Sequence, residues 1–127
     1  DNNFQTSLFY ACQSGNESLV KYLIDHRAYV NKANLKGETP LFYACSSGNE
    51  NMVKYLVKGR ANINKREHRY FKTPLFYACE NGNENIINFL IESGATLDII
   101  DRDGKTPLHY ACSSGNEILV KYLVEHG

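Results

Sequence analysis

TPLFYACSSGN, residues 39–49, reads as a complete short helix with both of its ends. Thr39 is an N-cap type whose hydroxyl is expected to accept from an orphan backbone N–H, and Pro40 follows at the first helical position, where its missing donor costs nothing. Gly48 suits a left-handed C-cap because it has no Cβ to clash. The pattern therefore predicts a helix of about three turns that stops at Gly48.

Working outward from that stretch, the same phrase recurs as TSLFYACQSGN (6–16), TPLFYACENGN (73–83) and TPLHYACSSGN (106–116). Cys12, Cys45, Cys79 and Cys112 mark it at steps of 33, 34 and 33 residues. Ser7 stands where the other copies have Pro, and Gly15, Gly82 and Gly115 repeat the stop of Gly48. A second phrase follows each first one: LVKYLIDHRA (19–28), MVKYLVKGRA (52–61), IINFLIESGA (86–95) and LVKYLVEHG (119–127). Two short apolar-periodic segments per period mean a helix-turn-helix unit repeated in tandem. The second helices open near Asn16, Asn49, Asn83 and Asn116. Glu17, Glu50 and Glu117 stand four residues before Lys21, Lys54 and Lys121, the favourable order for surface ion pairs. Leu19, Val20, Leu23 and Ile24 and their equivalents, down to Leu119, Val120, Leu123 and Val124, are the expected buried stripe.

The chain of 127 residues carries 14 Lys+Arg and 14 Asp+Glu, with 43% hydrophobic residues. That composition fits a folded protein, and zero net charge argues against a nucleic-acid backbone or an acidic membrane as the main partner. No apolar run approaches the roughly 18–20 residues of a membrane span, and DNNFQTSLFYACQ (1–13) is not a signal peptide. The sequence opens at Asp1 without Met and ends just after a helical pattern, so a piece of a longer protein is expected.

TPLFYAC…GN and TPLHYAC…GN at this period, followed by GA-x-L-D or RA-x-V/I-N and then DRDGK (101–105), resemble the ankyrin repeat. The resemblance covers essentially the whole chain. It implies an all-α repeat solenoid, an ankyrin-like stack of helix-turn-helix units with projecting β-hairpin loops, each unit touching only its neighbours. One domain over 1–127 is expected, with repeats at approximately 1–33, 34–67, 68–100 and 101–127, the last truncated. Some departures matter. Gly37 and Gly104 supply the turn glycine before Thr, but Phe4 and Phe71 replace it elsewhere. The third copy carries one extra residue within KREHRYFK (65–72). His109 stands where Phe9, Phe42 and Phe76 stand in the other copies.

Chemistry is weakly signalled. The four cysteines occupy one place on the buried side of the first helix, too far apart to bridge and without zinc spacing, and are expected to be small buried hydrophobes. Free thiols fit a reducing compartment, hence a cytoplasmic or nuclear, intracellular location. His26 and His126 fall at helix C-termini and His109 near a turn, with no nucleophile or metal pattern. Ile99–Gly104 lacks the ligands of a calcium loop, and Asn16-Glu17-Ser18 opens a helix, so its sequon is set aside. No catalytic residue, metal or cofactor is expected.

The segment 65–72 stands out: Lys65, Arg66, Arg69 and Lys72 face only Glu67, with His68, Tyr70 and Phe71 interleaved. It is either a solvated hairpin with Phe71 tucked against the stack or a recognition finger rich in hot-spot residue types. Basic and aromatic residues also suit single-stranded nucleic acid, but one short loop on a neutral domain disfavours it. The resemblance implies that hairpin tips and the exposed side of the first helices bind protein partners. Carried onto this sequence, the tips are Asn2, Asn3 and Gln5; Leu35, Lys36 and Glu38; Arg66, His68, Arg69, Tyr70 and Lys72; and Arg102, Asp103 and Lys105. The helices add Gln13 and Ser14, Ser46 and Ser47, Glu80 and Asn81, and Ser113 and Ser114. The helix set is nearly invariant between copies while the fingers vary, so specificity is expected in the third and fourth fingers.

The expectation is a non-catalytic protein–protein interaction module with a partner of unknown identity. The alternatives are a targeting arm of a multidomain enzyme and a structural spacer. Neither terminal unit has a polar outer face, so fraying of the last helix or self-association through uncapped ends is also expected.

Overall fold

The computed structural model describes the backbone of residues 2–126 and the side chains of residues 7–126. Eight helices occur among the described residues: α1 (Asn2–Ser14), α2 (Glu17–Asp25), α3 (Pro40–Ser47), α4 (Glu50–Lys58), α5 (Pro74–Asn81), α6 (Glu84–Glu92), α7 (Pro107–Ser114) and α8 (Glu117–His126). They form four antiparallel pairs. α1, α3, α5 and α7 pack in succession as an inner layer, and α2, α4 and α6 do so as an outer one. The all-α repeat solenoid expected from the sequence is the observed fold.

Local chemistry sets the helix ends. Gly15, Gly48, Gly82 and Gly115 stand at φ 72, 74, 69 and 73°, the left-handed region in which a Cβ is costly. The Asn residues after them cap the outer helices: the Oδ1 atoms of Asn16, Asn49, Asn83 and Asn116 accept from backbone N–H groups three residues on, at 3.0–3.1 Å. In α1, Ser7 leaves the backbone donor that Pro removes elsewhere. The helix runs back to Asn2, and the expected first finger at Asn2, Asn3 and Gln5 is helical backbone; its side chains lie outside the described residues.

The threonine caps differ from expectation. Thr39 and Thr73 have extended backbones, and their carbonyls accept from Phe42 and Phe76 N–H at 3.0 and 3.1 Å. Their hydroxyls are buried without a partner. At Thr106 the N–H donates to His109 Nδ1 at 2.9 Å, and Oγ1 lies 3.0 Å from the same nitrogen. Phe42 and Phe76 offer no such atom. Their rings instead meet Tyr77 and Tyr110 edge-on at 5.7 Å, and Phe9 meets Tyr43 at 5.6 Å, so each copy is tied to the next.

The core is a row of equivalent sites. Leu8, Leu41 and Leu75, with Ala11, Ala44 and Ala78, are buried between inner helices, and Val20, Val53 and Ile87 fill the outer layer. The ends depart from the stripe: Leu19 is 39% exposed and Val124 62%, because Leu19 faces a preceding unit in the repeat pattern and Val124 a following one. Cys12, Cys45 and Cys79 are buried as expected, but Cys112 is exposed for the same reason.

The expected Glu–Lys pairs within the outer helices do not form. Glu17, Glu50 and Glu84 instead accept from Asn51, Asn85 and Asn116 of the next copy, at 3.0, 3.0 and 2.8 Å. Lys21 pairs with Asp25 at 3.1 Å. Asn31 and Asn64 bridge outward in the same way. Asn31 donates to the Arg60 carbonyl and accepts from Asn62 N–H, and Asn64 donates to the Gly94 carbonyl and accepts from Thr96 N–H. A polar ladder with one-repeat reach thus runs beside the apolar one.

Thr39→Val and Thr73→Val are expected to leave stability unchanged or raise it by up to about 1 kcal/mol, because a buried orphan hydroxyl is removed and no bond is lost. Thr106→Val is expected to lower it by about 0.5–1 kcal/mol. Urea unfolding of the three variants compares them directly. Burial pushes the Cys12 and Cys79 thiols up to about 12 and Cys45 higher still. A thiol reagent at neutral pH is therefore expected to modify Cys112 quickly and the other three only after denaturation, as read by peptide mass mapping.

Candidate functional site

Between the helix pairs, three short loops project as fingers, at residues 34–38, 67–72 and 101–105. Each is closed at its base by a backbone bond, Asn34 N–H to Glu38 O, Glu67 N–H to Lys72 O and Asp101 N–H to Lys105 O, all 2.9 Å, and Gly37 and Gly104 N–H donate back to the Asn34 and Asp101 carbonyls at 2.9 and 3.0 Å. They are the projecting loops of the expected stack, closed as tight turns; no strand occurs among the described residues.

Each finger folds around one acceptor side chain at its root. Asn34 Oδ1 accepts from Lys36 and Glu38 N–H at 2.9 and 3.0 Å. Asp101 Oδ1 accepts from Asp103 and Lys105 N–H, both at 2.9 Å. The extra residue of the third copy is absorbed here. Glu67, one methylene longer and 2% exposed, accepts from the N–H groups of Arg69 (2.6 Å), Tyr70 (2.8 Å) and Lys72 (3.0 Å). Burial pushes the Asp101 pKa up, but the Tyr110 hydroxyl, the Lys105 and Asp103 N–H groups and the charge of Lys72 outweigh it and hold the carboxyl below its ordinary value.

The fingers are laced to one another. His68 N–H donates to Lys36 O at 2.7 Å and Arg102 N–H to Tyr70 O at 2.8 Å. A Cβ on Gly37 would lie 2.5 Å from the His68 ring, so glycine is required there for space as well as for its φ of 79°. Phe71 takes the same left-handed conformation at φ 58°, a strain of about 1–2 kcal/mol for a residue with a Cβ. Its ring is 41% exposed, not tucked into the stack, and carries two guanidiniums, Arg66 at 5.3 Å and Arg102 at 4.4 Å. Arg66 is anchored to the Phe71 and Ile100 carbonyls at 3.0 and 2.6 Å, and Arg102 to the His68 carbonyl at 3.2 Å. Arg69 stacks over Tyr70 at 5.0 Å, and its guanidinium donates to no acceptor among the described residues.

The expected partner-binding residues therefore divide. Lys72 is a clamp: its ammonium meets Glu80 at 2.6 Å and lies 4.7–5.6 Å from the Tyr70, Tyr77 and Tyr110 rings. Burial works to lower its pKa, but the hydrogen bond and charge of Glu80 raise it above the ordinary value. Burial and the nearby Glu67 carboxylate push the Tyr77 hydroxyl up to about 12. Asn81 donates to the Cys45 and Ser46 carbonyls at 3.1 and 2.6 Å, capping α3 from the next repeat. Glu38 accepts from Asn34 at 3.1 Å. Left pointing outward are Leu35, Lys36, His68, Arg69, Tyr70, Asp103 and Lys105, with part of Arg66 and Arg102. The root acceptors and the row of Tyr43, Tyr77 and Tyr110 were not expected; the trace of the first was an Asn, Glu or Asp at the start of each finger, and of the second the Tyr repeated in every first-helix phrase. His26 and His126, at the ends of outer helices, stack on Tyr22 and Tyr122 at 4.0 Å.

Paired helices stacked at one-repeat spacing, with laced turns along one edge, define a helical repeat protein. A family model described as ankyrin repeats (3 copies) matches residues 1–67 and again residues 64–127, and the chain belongs to the ankyrin repeat family. No curated protein matches it. Ankyrin repeats generally mediate protein–protein interaction, bind protein partners and are generally non-catalytic. No helix among the described residues is long and apolar enough to cross a membrane.

Asp101→Asn keeps an acceptor at the root of the fourth finger but removes the charge. Because the folded-state pKa is depressed, the charge stabilises above the ordinary value of 3.8 and that contribution is lost as pH falls through the folded pKa. Asp101→Asn is thus expected to lower Tm at neutral pH, with the gap to the parent closing below about pH 4. Thermal melts across pH test this.

Proposed function

We propose that this chain is a non-catalytic interaction module that binds a partner protein along fingers two to four. The observation carrying this reading is the outward set at the tips: Leu35 is fully exposed, Tyr70 is 38% exposed and Arg69 has no internal acceptor, all on a backbone tied finger to finger. Large side chains held on a preformed backbone lose little freedom on association, and Tyr and Arg are the types that dominate interface energies. Lys36, His68, Asp103, Lys105, Arg66 and Arg102 flank them. Lys72, Glu80, Asn81 and Glu38 serve by holding the tips in place. Free cysteines favour an intracellular setting, cytoplasmic or nuclear. The exposed Leu19 and Val124 also favour self-association through the end faces.

Arg69→Ala with Tyr70→Ala is expected to weaken binding of a partner recovered by affinity capture by about 10-fold or more, with the melting temperature little changed. Unchanged affinity would remove the third finger from the interface.

A further inference from the structure

We propose that the ridge of fingers two to four docks an extended acidic peptide segment of its partner, a proposal that rests on the interaction reading above. Arg69, Arg102 and Lys105 would meet its carboxylates, and Leu35 an apolar side chain.

The charge of the ridge is sorted by depth. Most of its acids are already engaged: Glu67 and Asp101 are buried and filled by backbone N–H groups, half-buried Glu38 accepts from Asn34, and Glu80, though exposed, is paired with Lys72. On fingers three and four, Asp103 is the one exposed carboxylate. The cations Arg66, Arg69, Arg102 and Lys105 face outward, and neither Arg69 nor Lys105 has an internal hydrogen-bond acceptor among the described residues. A chain of zero net charge thus presents a locally cationic edge.

The aromatic rings act as holders of those cations. Phe71 carries Arg66 and Arg102, and Tyr70 carries Arg69 and Lys72 at 5.0 and 5.2 Å. A ring already stacked with guanidiniums is not a free platform for a nucleic-acid base, which needs that face. A guanidinium fixed by its plane still offers N–H edges, and those edges match a carboxylate. The left-handed Phe71 fits this arrangement, since glycine, as at Gly37 and Gly104, would relieve the backbone but hold no arginine.

Spacing adds a register. Packed helices stand about 10 Å apart, close to three residues of extended chain at about 3.3 Å each. Acidic residues three apart would meet successive fingers.

The test is fluorescence anisotropy of the intact chain with a labelled extended peptide of about twelve residues carrying Glu at every third position. Its all-Gln counterpart and an oligo-dT of similar length serve as the other arms. The Glu peptide is expected to bind at least about 10-fold more tightly than the Gln peptide, and to weaken by a similar factor between about 50 and 300 mM salt. Arg69→Glu is expected to abolish the preference. Phe71→Gly is expected to keep or raise Tm while weakening the Glu peptide several-fold, which separates recognition from folding. Equal binding of Glu and Gln peptides, an unaffected Arg69→Glu, or tighter binding of oligo-dT would overturn the proposal. Absence of Glu-peptide binding would overturn it too. In that case affinity capture separates the two readings: a partner lost on Arg69→Ala with Tyr70→Ala leaves the interaction module standing, and no retained partner removes both.

Discussion

A single acceptor side chain at the root of each finger, buried at Glu67 and Asp101 and half-buried at Asn34, holds up the whole edge of the stack. Asn34, Glu67 and Asp101 each gather backbone N–H groups that would otherwise point into a loop too short to pair them with its own carbonyls. A hydrogen bond contributes about 0.5–1.5 kcal/mol net, so a loop that lost its root acceptor would lose two or three such contributions at once. The acceptor also matches loop length: the finger with one more residue carries the side chain with one more methylene. Because the closed turns then bond to each other through Lys36–His68 and Tyr70–Arg102, the tips behave as one surface.

Beneath the fingers, the inner helices show a trade between local capping and long-range packing. His109 accepts from the Thr106 N–H and completes that cap. Phe42 and Phe76 leave two threonine hydroxyls buried and unpaired, yet each ring reaches an aromatic ring of the next copy. Such edge-on pairs contribute about 0.5–1.5 kcal/mol beyond area burial, comparable to the cost of an orphaned hydroxyl. The exchange moves stabilisation from within a repeat to the junction between repeats, where a stack of nearest-neighbour contacts needs it.

Features decided within a few residues were legible in the sequence. Glycine C-caps, asparagine N-caps, proline at the first helical position and the alternation of two helix phrases all follow from short-range sterics and orphan donors. Features decided one repeat away were not. Glu17, Glu50 and Glu84 have lysine or asparagine four residues on, but each bonds to an asparagine of the following copy. Asn81 looked like surface and caps α3, while Lys72 looked like a fingertip charge and is held by Glu80 among three tyrosines. Cys112 and Val124 repeat buried positions letter for letter and are exposed, because burial in a stack depends on the neighbour and not on the residue. The basic character of the third finger was legible, but the inward turn of its acids was not.

That inward turn is what gives a neutral protein a charged edge. Equal numbers of acids and bases predict no long-range attraction, yet counting treats buried Glu67 and exposed Arg69 as equals. Glu67 is spent on three N–H groups, and Asp101 on two with the Tyr110 hydroxyl. Arg66 and Arg102 keep part of their N–H edges outward and Arg69 all of its own. A charged group within a Debye length, about 8 Å at physiological salt, meets the exposed cations first. The formal charge is a property of the whole chain, whereas recognition is decided by which charges the fold has already used.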